Sequence, residues 1–220
     1  MQPSFLLLRG GRLYDPAPRG HVDILISRGA ATAPGRVLAI GEKLTVPRRL
    51  VAEAESTAVE EVDVDGLDLI PGLVDQHAHV PGGGGEDRRA SQPPAARVED
   101  LVAGGTTTVA GLLGTDADSR QPEAVLAKVR ALRAQGLTAV MWTGSYRFPL
   151  RTITGSARGD ILWIPEVRGV GELAVSDHRG SAVSAEELAR LALDCRVAGM
   201  LSGKPGRVHV HMGPGRHALE

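Results

Sequence analysis

A chain of 220 residues with 25 basic and 26 acidic side chains carries no electrostatic footprint for nucleic acid or an anionic membrane surface. At 42 % hydrophobic and 23 % charged residues it has the composition of a folded globular protein, not of a disordered one. Its apolar runs are too short to span a bilayer, and its one cysteine, Cys195, excludes an internal disulfide and a cysteine zinc cage, as suits the reducing cytoplasm.

Residues 1–68 read as short β segments separated by turn chemistry. Apolar residues 5–8 are followed by Arg9-Gly-Gly11, and Leu13-Tyr14 by Asp15-Pro16; residues 22–26 and 36–40 follow, then the alternating stretch 59–64. Residues 29–35, rich in Ala, Gly and Pro, read as a hairpin loop. After Leu69 the pattern changes to strands alternating with helices. Strands are expected at 73–74, 106–113, 138–143, 169–176 and 207–212. One helix is expected over 122–135, with Val125, Leu126, Val129 and Leu132 on one face, Pro122 in its first turn and Gly136 as its stop. A second, over 184–201, opens on the capping-box pattern Ser184-x-x-Glu187. About five strands with intervening helices make a parallel βα architecture. A complete (β/α)₈ barrel takes about 250 residues, so residues 69–220 are either an open sheet or the front part of a longer protein, and the second is expected.

The strongest local signal is Pro71-Gly-Leu-Val-Asp-Gln-His77-Ala-His79. Histidines at i and i+2 on a strand point to one side, and at its C-terminal end both can face one metal ion. The alternative is a pair of surface or turn histidines. The histidines on later strand ends favour the metal.

This stretch resembles the first-strand motif of the amidohydrolase superfamily, metal-dependent hydrolases built on a TIM barrel beside a small β-sandwich. Seven further motifs narrow the resemblance to the isoaspartyl (β-aspartyl) dipeptidase family. In chain order they are Gly82-Gly-Gly-Gly-Glu86, Gly111-Leu-Leu-Gly-Thr115-Asp116, Thr143-Gly-Ser-Tyr146, Arg151-Thr-Ile-Thr-Gly-Ser156, Ser176-Asp-His-Arg179, Gly203-Lys-Pro-Gly206 and His211-Met-Gly213. The resemblance implies a β-sandwich segment over 1–68 and, over 69–220, an incomplete TIM barrel of about five of eight βα units.

It also implies a binuclear zinc site. His77 and His79 would bind the more buried ion and His211 the second, with a bridging carboxylate between them. Where the best-known members carry a carboxylated lysine, this chain has Glu172, which already bears a carboxylate on a shorter arm. His209 is read instead as a satisfied barrel-interior or surface histidine. The ends of a zwitterionic β-aspartyl dipeptide would be recognised by Gly84, Gly85, Glu86, Thr115 and Arg179. A carboxylate such as Glu86 pairs with an ammonium, and the planar fork of Arg179 with a carboxylate. Tyr146 would hydrogen-bond the carbonyl oxygen in the tetrahedral transition state. A further histidine and a general-base aspartate are expected beyond Glu220, so the chain by itself is expected to be incomplete as a catalyst; the whole protein is expected to be a cytoplasmic homo-oligomer. The alternatives are another amidohydrolase, such as a cyclic amidase or deacetylase, or a short protein that binds metal or a partner without turnover.

Overall fold

The computed structural model describes residues 4–29, 35–46, 59–84, 87 and 89–215. The chain divides into two compact units, Met1–Gly72 and Leu73–Glu220. The first is a mixed sheet of β1 (Phe5–Tyr14), β2 (Pro18–Ser27), β3 (Arg36–Gly41), β4 (Val59–Asp63) and β5 (Asp68–Leu69). Its order is β3-β2-β1-β4, with β5 also on β1. The two segments expected at 5–8 and 13–14 are one strand. The pairing of β1 with β2 shifts register between Leu8 and Gly11, where Gly10 at φ 77° lets the chain bulge without ending. Arg9, beside that bulge, reaches Asp23 (2.8 Å), Glu61 (3.1 Å) and the Leu44 carbonyl (2.6 Å). Most of the hairpin loop expected at 29–35 lies outside the described residues.

The second unit runs β6 (Leu73–Ala78), a 3₁₀ turn (Arg89–Ser91), α1 (Val98–Ala103), β7 (Thr106–Gly111), α2 (Pro122–Ala134) and β8 (Thr138–Thr143). It continues with α3 (Ala157–Trp163), β9 (Val167–Val175), α4 (Ala185–Ser202) and β10 (Arg207–Met212). All five strands are parallel, in the order β10-β9-β8-β7-β6, and the sheet curls into a half-barrel. The helices arise as the sequence signals direct. Val125, Val129 and Leu132 stand one and two turns apart on α2 and are all fully buried. Ser184 and Glu187 form both bonds of a capping box at the start of α4, and Gly203, at φ 65°, ends it in the left-handed conformation. The core lies between the sheet and these helices: Val109, Ala139, Met141 and Val167 from the strands meet α2, Ile161 of α3, and Leu191, Cys195 and Ala198 of α4. Burial pushes the Cys195 thiol up to about 12, which makes it an inert core residue. Among the described residues no helix is long and apolar enough to cross a membrane.

Two motifs of the barrel turn out to be structural. The ammonium of Lys204 donates to the carbonyls of Ile161 (2.5 Å) and Ile164 (2.6 Å) and so closes the C-terminal end of α3. Asp160, fully buried in α3, gathers the Arg151–Ser156 segment. It accepts from the backbone N–H groups of Ile153 (3.0 Å) and Thr154 (2.7 Å), and from the hydroxyls of Thr154 (2.7 Å) and Thr143 (2.5 Å). Thr143 ends β8, so this carboxylate ties the strand end that leads to Tyr146 to the helix behind it.

Candidate functional site

The site is built at the C-terminal ends of β6 to β10, on the face of the sheet away from the helices. Strand alternation puts Ala139, Met141 and Thr143 of β8 on its buried side and Val140 and Trp142 on the other. Simple alternation would not place Glu172 there. In β9 both Val170 and Leu173 belong to the helix-side core, yet they are three residues apart and so of opposite parity. A β-bulge resolves this. Val170 pairs with Val208 and Leu173 with Val210, so Gly171 and Glu172 together oppose the single residue His209. The extra residue turns Glu172 to the site side while its apolar neighbours stay in the core. Gly171 is needed at this point, because a Cβ there would stand 2.7 Å from the Cβ of His209.

Glu172 is 1 % exposed and is ringed by imidazoles. Its Oε1 lies 3.2 Å from His77 Nε2 and 3.6 Å from His79 Nε2, and its Oε2 lies 3.2 Å from His211 Nδ1. The structure thus brings three of the four residues named as metal ligands, His77, His79 and His211, around the carboxylate of the fourth. The His79 ring is held between two glycines: a Cβ at Gly83 or at Gly114 would come within 2.7 Å of it, and Gly114 is also at φ 82°. This gives two of the glycine motifs a packing reason. It also brings Gly84 and Thr115, each next to one of those glycines, to the loops bordering His79. Both are half-buried. Gly85 and Glu86 lie outside the described residues.

Tyr146 and Arg179 meet at His211. The Tyr146 hydroxyl is 3.0 Å from His211 Nδ1, and its ring is 4 % exposed. Arg179 lies over that ring, 5.2 Å from its centre, and its Nη2 donates toward His211 Nε2 at 3.0 Å. The guanidinium is fixed by Asp177, which accepts from Nε (2.9 Å), Nη2 (2.7 Å) and the Arg179 backbone N–H (2.9 Å). Asp177 lies inside a quoted motif, but the sequence reading gave it no role. Its side chain is fully buried, and Gly213 passes so close that a Cβ there would be 2.4 Å from the Cβ of Asp177. The hydrogen bonds from Arg179 hold the Asp177 carboxyl far below the usual carboxylate range. A depressed folded-state pKa contributes stability above the unfolded value and loses it as pH falls toward the folded one. Asp177→Asn is therefore expected to be less stable than the parent at pH 7, with the gap narrowing as pH drops below 3.8. Urea unfolding at pH 7, 5, 4 and 3 measures this; a gap that is constant with pH would contradict it.

The structure places His209 with this cluster as well. His209 Nε2 is 2.9 Å from His77 Nδ1, and His77, Glu172 and His209 each offer an atom within 4.8 Å of the others. Burial, with His79 and His209 nearby, pushes the His77 imidazole below its ordinary value. Burial and His211 do the same for His209. Both are thus biased to the neutral form in which histidine binds metals. A neutral-imidazole and carboxylate donor set suits zinc and other borderline divalent ions.

No protein-family model matches the chain. Its fold matches that of a β-aspartyl dipeptidase from Fervidobacterium islandicum AW-1, solved in complex with a β-Asp-Leu dipeptide, with a TM-score of 0.86 at 37 % identity. That match covers 98 % of this chain and 53 % of the dipeptidase. The chain belongs to the amidohydrolase superfamily. Dihydroorotases are similar in sequence: that of Geobacter sulfurreducens is 30 % identical over 201 residues, and that of Citrifermentans bemidjiense 31 % over 196. Each match covers 86 % of this chain and 39 % of the relative, so the amidohydrolase spans well under half the length of these relatives. A solved dihydroorotase, at 18 % identity and a TM-score of 0.55, shares the fold.

Proposed function

We propose that this amidohydrolase chain carries the front portion of a zinc-dependent site that hydrolyses β-aspartyl dipeptides. The observation that supports this most is the Glu172 carboxylate set among His77, His79 and His211, in a chain 37 % identical to a β-aspartyl dipeptidase. His77, His79, Glu172 and His211 would hold two zinc ions, which supply Lewis acidity toward the amide carbonyl and activate water near neutral pH.

The remaining residues act on the substrate directly. Tyr146, whose hydroxyl already points into the cluster, donates to the carbonyl oxygen as negative charge builds on it. Arg179 offers its guanidinium to the substrate carboxylate, and Asp177 keeps that plane fixed before the substrate arrives, so little orientational entropy remains to be lost. Gly84 and Thr115 present a backbone N–H and a hydroxyl at the loops around His79, and the motif that holds Gly84 would supply Gly85 and Glu86 to the substrate ammonium. The proton shuttle to the leaving amine is assigned to an aspartate outside these 220 residues, in the whole protein.

A second reading, a cyclic amidase, draws on the similarity to dihydroorotases. It uses the same metal residues but does not need a paired ammonium and carboxylate site. The two separate in a binding experiment on the zinc-loaded chain. β-Asp-Leu is expected to bind and to lose most of its affinity in Arg179→Met, whereas dihydroorotate should bind weakly. Tight dihydroorotate binding with no response to β-Asp-Leu would replace the first reading by the second.

A further inference from the structure

We propose that His209 is a positioning residue of the metal centre. It accepts the Nδ1–H of His77 and so supports the tautomer in which the Nε2 lone pair of His77 is offered to an ion held beside Glu172. This rests on the metal reading above and goes beyond it, since His209 is none of the four ligands assigned there.

The two nitrogens of His77 diverge from one ring and have different neighbours. Nε2 lies 3.2 Å from Glu172 Oε1, and Nδ1 lies 2.9 Å from His209 Nε2. An ion held beside Glu172 and His79 takes the lone pair of Nε2. The proton of a neutral His77 then sits on Nδ1, and it needs an acceptor, a requirement that metal-binding histidines generally meet through a fixed partner. His209 Nε2 is in that place.

The acceptor is itself built in. The His209 ring stacks on Trp142, 5.6 Å between centres and 21° between planes. Trp142 Nε1 in turn donates to the carbonyl of Gln76 at 3.0 Å. Gln76 directly precedes His77, so the platform under the acceptor is bonded to the strand that carries the ligand. Trp142, His209 and His77 come from β8, β10 and β6, and they close a loop of contacts across the inner face of the half-barrel. The competing assignment makes His209 a direct ligand together with His77 and Glu172. The two assignments differ in what His209 faces: a ligand gives its lone pair to the ion, whereas a positioning residue keeps it on the Nδ1–H of His77, 2.9 Å away.

The test uses zinc binding to this chain, measured by competition with a chromophoric chelator, and the absorption spectrum of its cobalt(II) form. His209→Ala is expected to weaken zinc binding roughly 10- to 100-fold with unchanged stoichiometry and an unchanged cobalt band shape. His209→Gln, whose amide oxygen can accept the same proton, is expected to recover most of the loss. In the zinc-loaded chain, the His77 Nδ1–H proton should give a slowly exchanging ¹⁵N-coupled resonance, which is lost to solvent exchange in His209→Ala. A cobalt spectrum that loses a ligand in both His209 variants would make His209 a ligand and overturn the proposal. So would an unchanged affinity and an unchanged His77 Nδ1–H resonance in zinc-loaded His209→Ala. If His77→Ala binds zinc as tightly as the parent, the metal reading has failed; if His77→Ala is impaired and His209→Ala is not, only the positioning role has.

Discussion

Replacing Glu172 with glutamine is expected to lower zinc affinity by more than about 100-fold, the equivalent of roughly 2.7 kcal/mol, while leaving the chain folded. The substitution keeps the shape of a side chain that is 1 % exposed, and so tests charge and ligand chemistry rather than packing. With the carboxylate present, three imidazole nitrogens at 3.2, 3.6 and 3.2 Å surround two acceptor oxygens, and a cation among them has anionic and neutral donors together. With the amide, the centre loses its only charge of opposite sign among these four residues, and one of the two positions becomes a donor that repels an ion. Glu172→Asp, with a carboxylate on a shorter arm, should fall between the two. Chelator competition on the purified chain measures the affinity, and far-UV circular dichroism checks the fold. Zinc bound equally well by Glu172→Gln would exclude Glu172 as a ligand.

Asp160→Asn is expected to cost about 3 kcal/mol of stability, a large part of the roughly 5–15 kcal/mol that holds a domain folded. Each oxygen of the Asp160 carboxylate accepts one backbone N–H and one hydroxyl. An asparagine fills the same volume, but whichever way its amide is turned, the NH₂ group faces a backbone donor. One N–H is left buried without an acceptor, and two donors are pressed together. The effect should spread from α3 to Thr143, which precedes Tyr146 by three residues. Tyr146 fluorescence and the urea midpoint should therefore move together. A change below about 0.5 kcal/mol would place Asp160 among ordinary surface positions and undo this account of the Arg151–Ser156 motif.

Much of the architecture could be read from local pattern. The strands at Thr138–Thr143 and Arg207–Met212 and the helix from Pro122 lie where period and punctuation put them, because alternation, helical spacing and capping are properties of neighbours in sequence. The helices Val98–Ala103 and Ala157–Trp163 were not singled out. They are six and seven residues long, too short for a helical period to stand out. The break expected after residue 8 also dissolved, since paired glycines in a strand serve a bulge as readily as a turn.

At the site the division is sharper. The pairing of His77 with His79 is written in the chain, because residues two apart on a strand share a face whatever surrounds them. Glu172 was reached through its motif, but its direction depends on a bulge that only pairing with β10 produces. His209 read as an ordinary barrel histidine, and Asp177 as an unassigned part of a motif. The first gains its place from His77, 132 positions away, and the second from burial beneath Gly213. The sequence alone determined the parallel βα order and the residue types available for a metal, since these follow from local spacing and composition, and its motifs carried the resemblance to amidohydrolases. Only the tertiary structure decided which nitrogen of His77 faces Glu172, which side chain supports it and which acid holds Arg179. Those are contacts between strands distant in sequence, and no local period encodes them.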